Sequence, residues 1–150
     1  MNIHRVIFIS LFTLLGPYQA ATAQTRPFLN LRDVANQTQE DITTILGPQS
    51  SLNDKDAASS ICANCQKYSY QNDKIIIEYT NDMADRITIR PQAGIRAEAT
   101  PALLGLPDLK ADVVRKSLSK WTGYDGVREI SAFKKSDGTI DFVLVKVLTL

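Results

Sequence analysis

Between Cys65 and Arg90 the chain alternates apolar and polar residues with a period of two, and it breaks that alternation twice with a pair of turn residues (CQKYSYQNDKIIIEYTNDMADRITIR). A period of two sends successive side chains to opposite faces of a strand, so the stretch predicts three short strands in an antiparallel meander. Tyr68 and Tyr70 alternate with Lys67 and Ser69, and Asn72-Asp73 marks the first turn. In the next strand Ile75, Ile77 and Tyr79 share a face, while Ile76 and Glu78 point the other way. After the turn at Asn81-Asp82, Ile87 and Ile89 continue the apolar face and Arg86, Thr88 and Arg90 the polar one. One dry face and one wet face is the expectation, and the dry face needs a second layer to cover it.

The segment before the meander can supply that layer. Asn30 and Asp33 suggest one short helical turn, and Thr38 with Glu40 and Asp41 a better start, with a hydroxyl cap and acids near the positive end of the helix dipole. Ile42, Ile45 and Leu46 then fall on one helical stripe, and Gly47-Pro48 ends the helix. Residues 49–61 are polar and aperiodic, and read as a loop. The last third of the chain follows a similar plan. Thr100 and Pro101 open a short helix that closes at Leu104-Gly105. The secondary structure of residues 108–120 is left open: Leu109, Val113 and Leu118 could make an amphipathic helix, but Val113-Val114 is β-branched. Residues 118–124, 127–134 and 139–148 read as strands, with a hairpin turn at Ser136-Asp137-Gly138. The final strand is apolar on both sides, so it is either central or covered on its outer face by another element or a partner. The expected fold is therefore α+β, with short helices packed on one face of an antiparallel sheet. Two halves of one domain, about 30–90 and 100–150, would each contribute a helix and a three-strand meander.

Residues 1–23 stand apart from this plan. Arg5, an apolar run from Val6 to Leu15, the break at Gly16-Pro17 and Ala21-Thr22-Ala23 have the layout of a cleavable signal peptide, with Gln24 as the new N-terminus. The apolar run is too short to cross a bilayer, which takes about 20 residues as a helix. No Cys follows it to accept a lipid, so a periplasmic or secreted chain, 24–150, without a membrane anchor is expected. The 17 Lys and Arg balance the 16 Asp and Glu once Arg5 is removed. Without a basic block, nucleic acid is not an expected partner.

The only histidine, His4, leaves with the signal peptide. Ser-His-Asp and Cys-His centres and His-ligated metal sites are then out of reach. Cys62 and Cys65 are the only thiols, and an oxidising compartment favours a structural disulfide between them. The alternative, a thioredoxin-like redox pair, wants its first Cys at a helix N-terminus, whereas here a strand follows. Glu78 and Asp85 flank one hairpin and are the nearest approach to a carboxylate pair, but solvated face residues are the simpler account. Trp121 reads as packing, and Asn36-Gln37-Thr38 has the pattern of a glycosylation site.

The run from Thr38 to Pro48, with its capped helix and Leu46-Gly47-Pro48 stop, followed by Tyr68 to Ile89, resembles the SmpA/OmlA-like (BamE-like) superfamily of small bacterial envelope proteins. Its tandem form resembles the architecture of the β-lactamase-inhibitor protein. The resemblance implies an envelope interaction module. No catalytic residue, metal or cofactor is expected, and the partner would be another envelope protein. The expected contact face is the wet side of the meander: Lys67, Ser69, Ile76, Glu78, Arg86, Thr88 and Arg90. The competing expectation is a small envelope enzyme, either a thiol oxidoreductase through Cys62/Cys65 or a hydrolase without histidine.

Overall fold

A computed structural model describes residues 27–50, 52 and 65–148. Residues 1–23, expected as a signal peptide, and Cys62 lie outside the described residues. One continuous antiparallel sheet of seven strands dominates: β1 (Gln66–Tyr70), β2 (Ile75–Thr80), β3 (Met83–Ile89), β4 (Val113–Val114), β5 (Leu118–Trp121), β6 (Val127–Lys134) and β7 (Ile140–Val147). Their spatial order is β1-β2-β3-β7-β6-β5-β4. The chain thus makes one meander, crosses the sheet, and makes a second meander that returns to pair β7 with β3.

The helices are minor. Among the described residues they are α1 (Leu31–Val34), α2 (Gln39–Leu46), a 3₁₀ turn (Ala97–Ala99) and α3 (Thr100–Leu103). This corrects the expectation of two halves that each carry a helix layer over three strands. Three of the four helical pieces are single turns. The second meander has four strands, because the residues around Val113-Val114 pair with β5 rather than forming a helix. Two adjacent β-branched residues disfavour a helix and suit a strand. Arg115 and Leu118 close this hairpin with reciprocal backbone hydrogen bonds of 2.7 and 3.4 Å.

The first meander forms where period two predicted it. Asn81 and Asp82 both take positive φ, 52° and 63°, as a two-residue turn matched to strand twist requires. Gln71, Asn72 and Asp73 also lie in the left-handed region, which Asn and Asp tolerate better than most residues. The opposing turn between β6 and β7 uses Gly138 at φ 82° instead.

The core lies on one face of the sheet. Tyr70, Ile75, Ile77, Tyr79, Ile87 and Ile89 from the first meander join Ile130, Ala132, Val143, Val145, Val147 and Trp121 from the second. Leu29, Leu31, Val34, Ile42, Ala97 and Leu104 close over them. The segment carrying α1 is tied to α3 by Leu29 N–H to Leu103 carbonyl and Leu31 N–H to Leu104 carbonyl, each 3.0 Å. Within the core the Tyr70 and Tyr79 hydroxyls share a hydrogen bond of 2.9 Å. Burial first, and then this bond, push the Tyr79 phenol far above its ordinary pKa. The Trp121 indole N–H donates to the Leu109 carbonyl at 3.0 Å, which fixes residues 106–112 against β5.

Several local expectations change. Thr38 caps α2 by accepting from Asp41 N–H at 3.2 Å, and Gly47 ends it at φ 90°. Ile42 is fully buried, but Ile45 is 49% exposed, so only part of the expected stripe reaches the core. Eight residues make about two turns, too few for every stripe position to face a curved sheet. Asn30 precedes α1 without a side-chain cap and donates instead to the Asp33 carboxylate at 2.8 Å. Thr100 is the first residue of α3 rather than its cap, and its hydroxyl donates to the Ala97 carbonyl at 2.7 Å.

Candidate functional site: a charged row on the second sheet face

The sheet register places Lys67, Glu78, Arg86, Lys146 and Glu129 in one row across the face opposite the core, and Lys120, opposite Ser131 in the next row, reaches diagonally to Glu129. Lys67 lies opposite Glu78, Glu78 opposite Arg86, Arg86 opposite Lys146, and Lys146 opposite Glu129. Together these residues make two triads of the same kind, cation–glutamate–cation, set side by side.

In the first triad Glu78 takes Lys67 at 3.2 Å and Arg86 at 3.5 Å. In the second, Glu129 takes Lys120 at 2.8 Å and Lys146 at 3.3 Å, and Ser131 adds a hydroxyl donor at 2.9 Å. The Lys120 contact, with help from Ser131 and Lys146, lowers the Glu129 carboxyl to about 2 against the partial burial that opposes it. Where the triads meet, Arg86 and Lys146 stand directly opposite one another. The Arg86 Nε is buried without a hydrogen-bond partner.

The next row along the strands is Ser69, Ile76, Thr88, Leu144 and Ser131. Beyond it, Phe142 and Phe133 stack with ring centroids 4.4 Å apart, and Leu118 lies opposite Phe133. The two halves of this face differ in exposure. Ser69, Ile76 and Glu78 are buried at 0%, 2% and 8%, although none belongs to the core cluster. Leu118, Phe133, Phe142 and Leu144 are only half-buried.

Six of the residues expected from the sequence as a contact face, Lys67, Ser69, Ile76, Glu78, Arg86 and Thr88, do share one sheet face. The face is less wet than expected, since three of the six are buried. The seventh, Arg90, follows β3, and its guanidinium donates to the Asp73 carbonyl at 3.3 Å. The sequence reading missed the β5–β7 half. Phe142 and Leu144 share one side of the closing strand by alternation, but only the β3–β7 pairing shows that this side continues the row of Arg86. The alternation Glu129-x-Ser131-x-Phe133 was the available signal.

Glu78 and Asp85 engage different partners. Glu78 is held by its two cations, and Asp85 accepts from the Thr80 hydroxyl at 3.4 Å. Cys65 directly precedes β1, with its Sγ 3.4 Å from Thr80 Oγ1, and is not a free thiol. No helix begins there to stabilise a thiolate. Its pairing with Cys62 remains an expectation. No group of three or more His, Cys, Asp or Glu side chains is arranged to hold a metal ion among the described residues, and no described helix is long and apolar enough to cross a membrane.

Two hollows are found among the described residues. One, about 490 Å³, lies over α2 and is lined by polar groups that include Gln39, Glu40, Thr43 and Asp82. The other, about 600 Å³, lies at one end of the sheet, with Phe28, Ile95 and Leu103 beside Lys74 and Arg90. The chain matches no protein-family model, no curated protein and no solved structure.

Proposed function

We propose that this chain is a non-enzymatic interaction module of the bacterial envelope, periplasmic or secreted after loss of residues 1–23, and that it binds another envelope protein through the sheet face opposite its core. The observation that carries this reading is the group Leu118, Phe133, Phe142 and Leu144, half-buried on that face beside a row of paired charges. Aromatic and aliphatic side chains rimmed by charges have the composition of a protein contact, in which a few apolar anchors supply most of the binding energy. The signal-peptide pattern, the Cys62/Cys65 pair and the resemblance of 38–48 and 68–89 to SmpA/OmlA-like envelope proteins support the same compartment and class.

A photo-crosslinking residue at Phe142 tests the contact in cells that secrete the chain. A discrete adduct that forms from Phe142, is lost when Phe133 becomes Glu, and does not form from Leu109 on the opposite side of β5 supports the reading. Equal labelling from both positions, or none from Phe142, overturns it. Cell fractionation with N-terminal sequencing tests the compartment, and a mature protein that begins at Gln24 is the expected result.

A further inference from the structure

The charged row has an irregularity at its centre. Read across the sheet from Lys67 to Glu129, the charges run plus, minus, plus, plus, minus, with Lys120 added diagonally beyond Glu129, so alternation fails only between Arg86 and Lys146. Like charges directly opposite on neighbouring strands are destabilising. Each of the two cations has a glutamate beside it, but neither glutamate serves its cation alone. Glu78 divides its oxygens between Lys67 and Arg86, and Glu129 divides its own among Lys120, Lys146 and Ser131. Of the four ion pairs described here, the one from Arg86 to Glu78 is the longest at 3.5 Å, and Nη1 makes it. Nε has no partner, yet a guanidinium is built to give a carboxylate two parallel N–H donors. Both side chains reach the surface, Arg86 at 21% and Lys146 at 37% exposure. The half-buried apolar group begins one row away at Leu144 and ends on Phe142 and Phe133, about 14 Å from Lys146 along the strand at about 3.4 Å per residue.

We infer that the Arg86–Lys146 junction receives an aspartate or glutamate side chain from the protein partner, in a segment that also sets apolar side chains on Leu144 and on the Phe133–Phe142 pair. A carboxylate placed there restores alternation along the row. A small rotation of the guanidinium away from Glu78 presents Nε and Nη together to it. The apolar contacts alongside exclude water, which strengthens a charge pair that would contribute little in open solvent. The inference rests on the reading of this face as a protein contact, and it names the chemistry that would be recognised there.

The test uses the secreted, oxidised full chain and two extended peptides, acetyl-Asp-Ser-Leu-Ser-Phe-amide and the same peptide with Asn for Asp. Alternate side chains of an extended peptide match the spacing of the rows. Titration is followed by NMR at the Arg86 Nε–Hε group and at the rings of Phe133 and Phe142. The Asp peptide is expected to shift both signals and to bind about fivefold or more tightly than the Asn peptide, with the difference shrinking in 1 M salt. In the variant R86Q/K146Q the two peptides should bind alike. If both peptides shift the rings equally and neither moves Arg86 Nε–Hε, the carboxylate site is wrong and the contact face survives. If neither peptide moves the rings or Arg86, the junction and the face fall together.

Discussion

The two halves of the second sheet face carry the same charge motif on different ground. In β1–β3, Glu78 sits between Lys67 and Arg86 beside Ile76, and Glu78 and Ile76 are almost fully buried. In β5–β7, Glu129 sits between Lys120 and Lys146 beside Leu144, where exposure is greater and the ion pairs are shorter. The difference teaches that a cross-strand charge pattern does not by itself say whether a face is wet. Burial decides whether the pattern is structural or available to a partner, and in this chain it divides one continuous row into a part that holds the fold and a part that can be offered outward.

Cavity formation should break the comparison most sharply. Ile76→Ala removes a buried side chain and should cost about 3 kcal/mol, whereas Leu144→Ala, in the same row, should cost about 1 kcal/mol. Urea unfolding of the two variants measures the difference. Equal losses would mean that the two halves are equally part of the core.

The charges give the next contrast. Glu78→Gln removes a carboxylate that two cations share at 8% exposure, and should cost about 3 kcal/mol. Glu129→Gln, more exposed, should cost about 1 kcal/mol at neutral pH. The second variant has a further signature in pH. The folded-state pKa of Glu129 is depressed from 4.5 to about 2, so the folded protein holds this proton less tightly than the unfolded chain. Its contribution is fully present above pH 4.5 and is lost as the pH falls toward 2. The melting temperature of Glu129→Gln should therefore fall less than that of the wild type across that window. Parallel curves would show that the second triad contributes nothing in solution.

How far the sequence reaches also differs between the halves, and for physical reasons. The first meander was legible because period two, left-handed turn residues and isoleucine density all agree from Tyr68 to Ile89. The core face was legible residue by residue for the same reason. The two apolar sides of β7 were compatible with a central strand or with a covered outer face, and the strand order makes it central. The pairing of β7 with β3 was not legible, because it joins segments more than 50 residues apart and no local pattern encodes it. The row across the whole sheet was therefore invisible, and with it the opposed pair Arg86 and Lys146. The extra strand at Val113-Val114 was not read from the sequence, which left 108–120 open, since pairing with β5 is a tertiary effect. Burial of Ser69, Ile76 and Glu78 on the polar side was missed because alternation reports the face on which a residue lies, not what lies above it.

The smallest expected effect concerns the turns that join the strands of each half. The β6–β7 turn places Gly138 at φ 82°, where glycine carries no steric penalty, while the β2–β3 turn holds Asn81 and Asp82 at φ 52° and 63°. Asn-Gly is the preferred pair for a two-residue turn of this hand. Asp82→Gly should relieve the left-handed conformation at the second turn position. Part of that gain is offset by the larger backbone entropy that glycine loses on folding, so a net stabilisation of about 0.5 kcal/mol is expected. Asp82 also lines the polar hollow over α2 with Gln39 and Thr43. A loss of stability in Asp82→Gly, read by the same urea titration, would show that this carboxylate supports α2 across the hollow. The first half would then be held by polar contacts at its rim as well as by its buried row, and the contrast with the glycine-turned second half would widen.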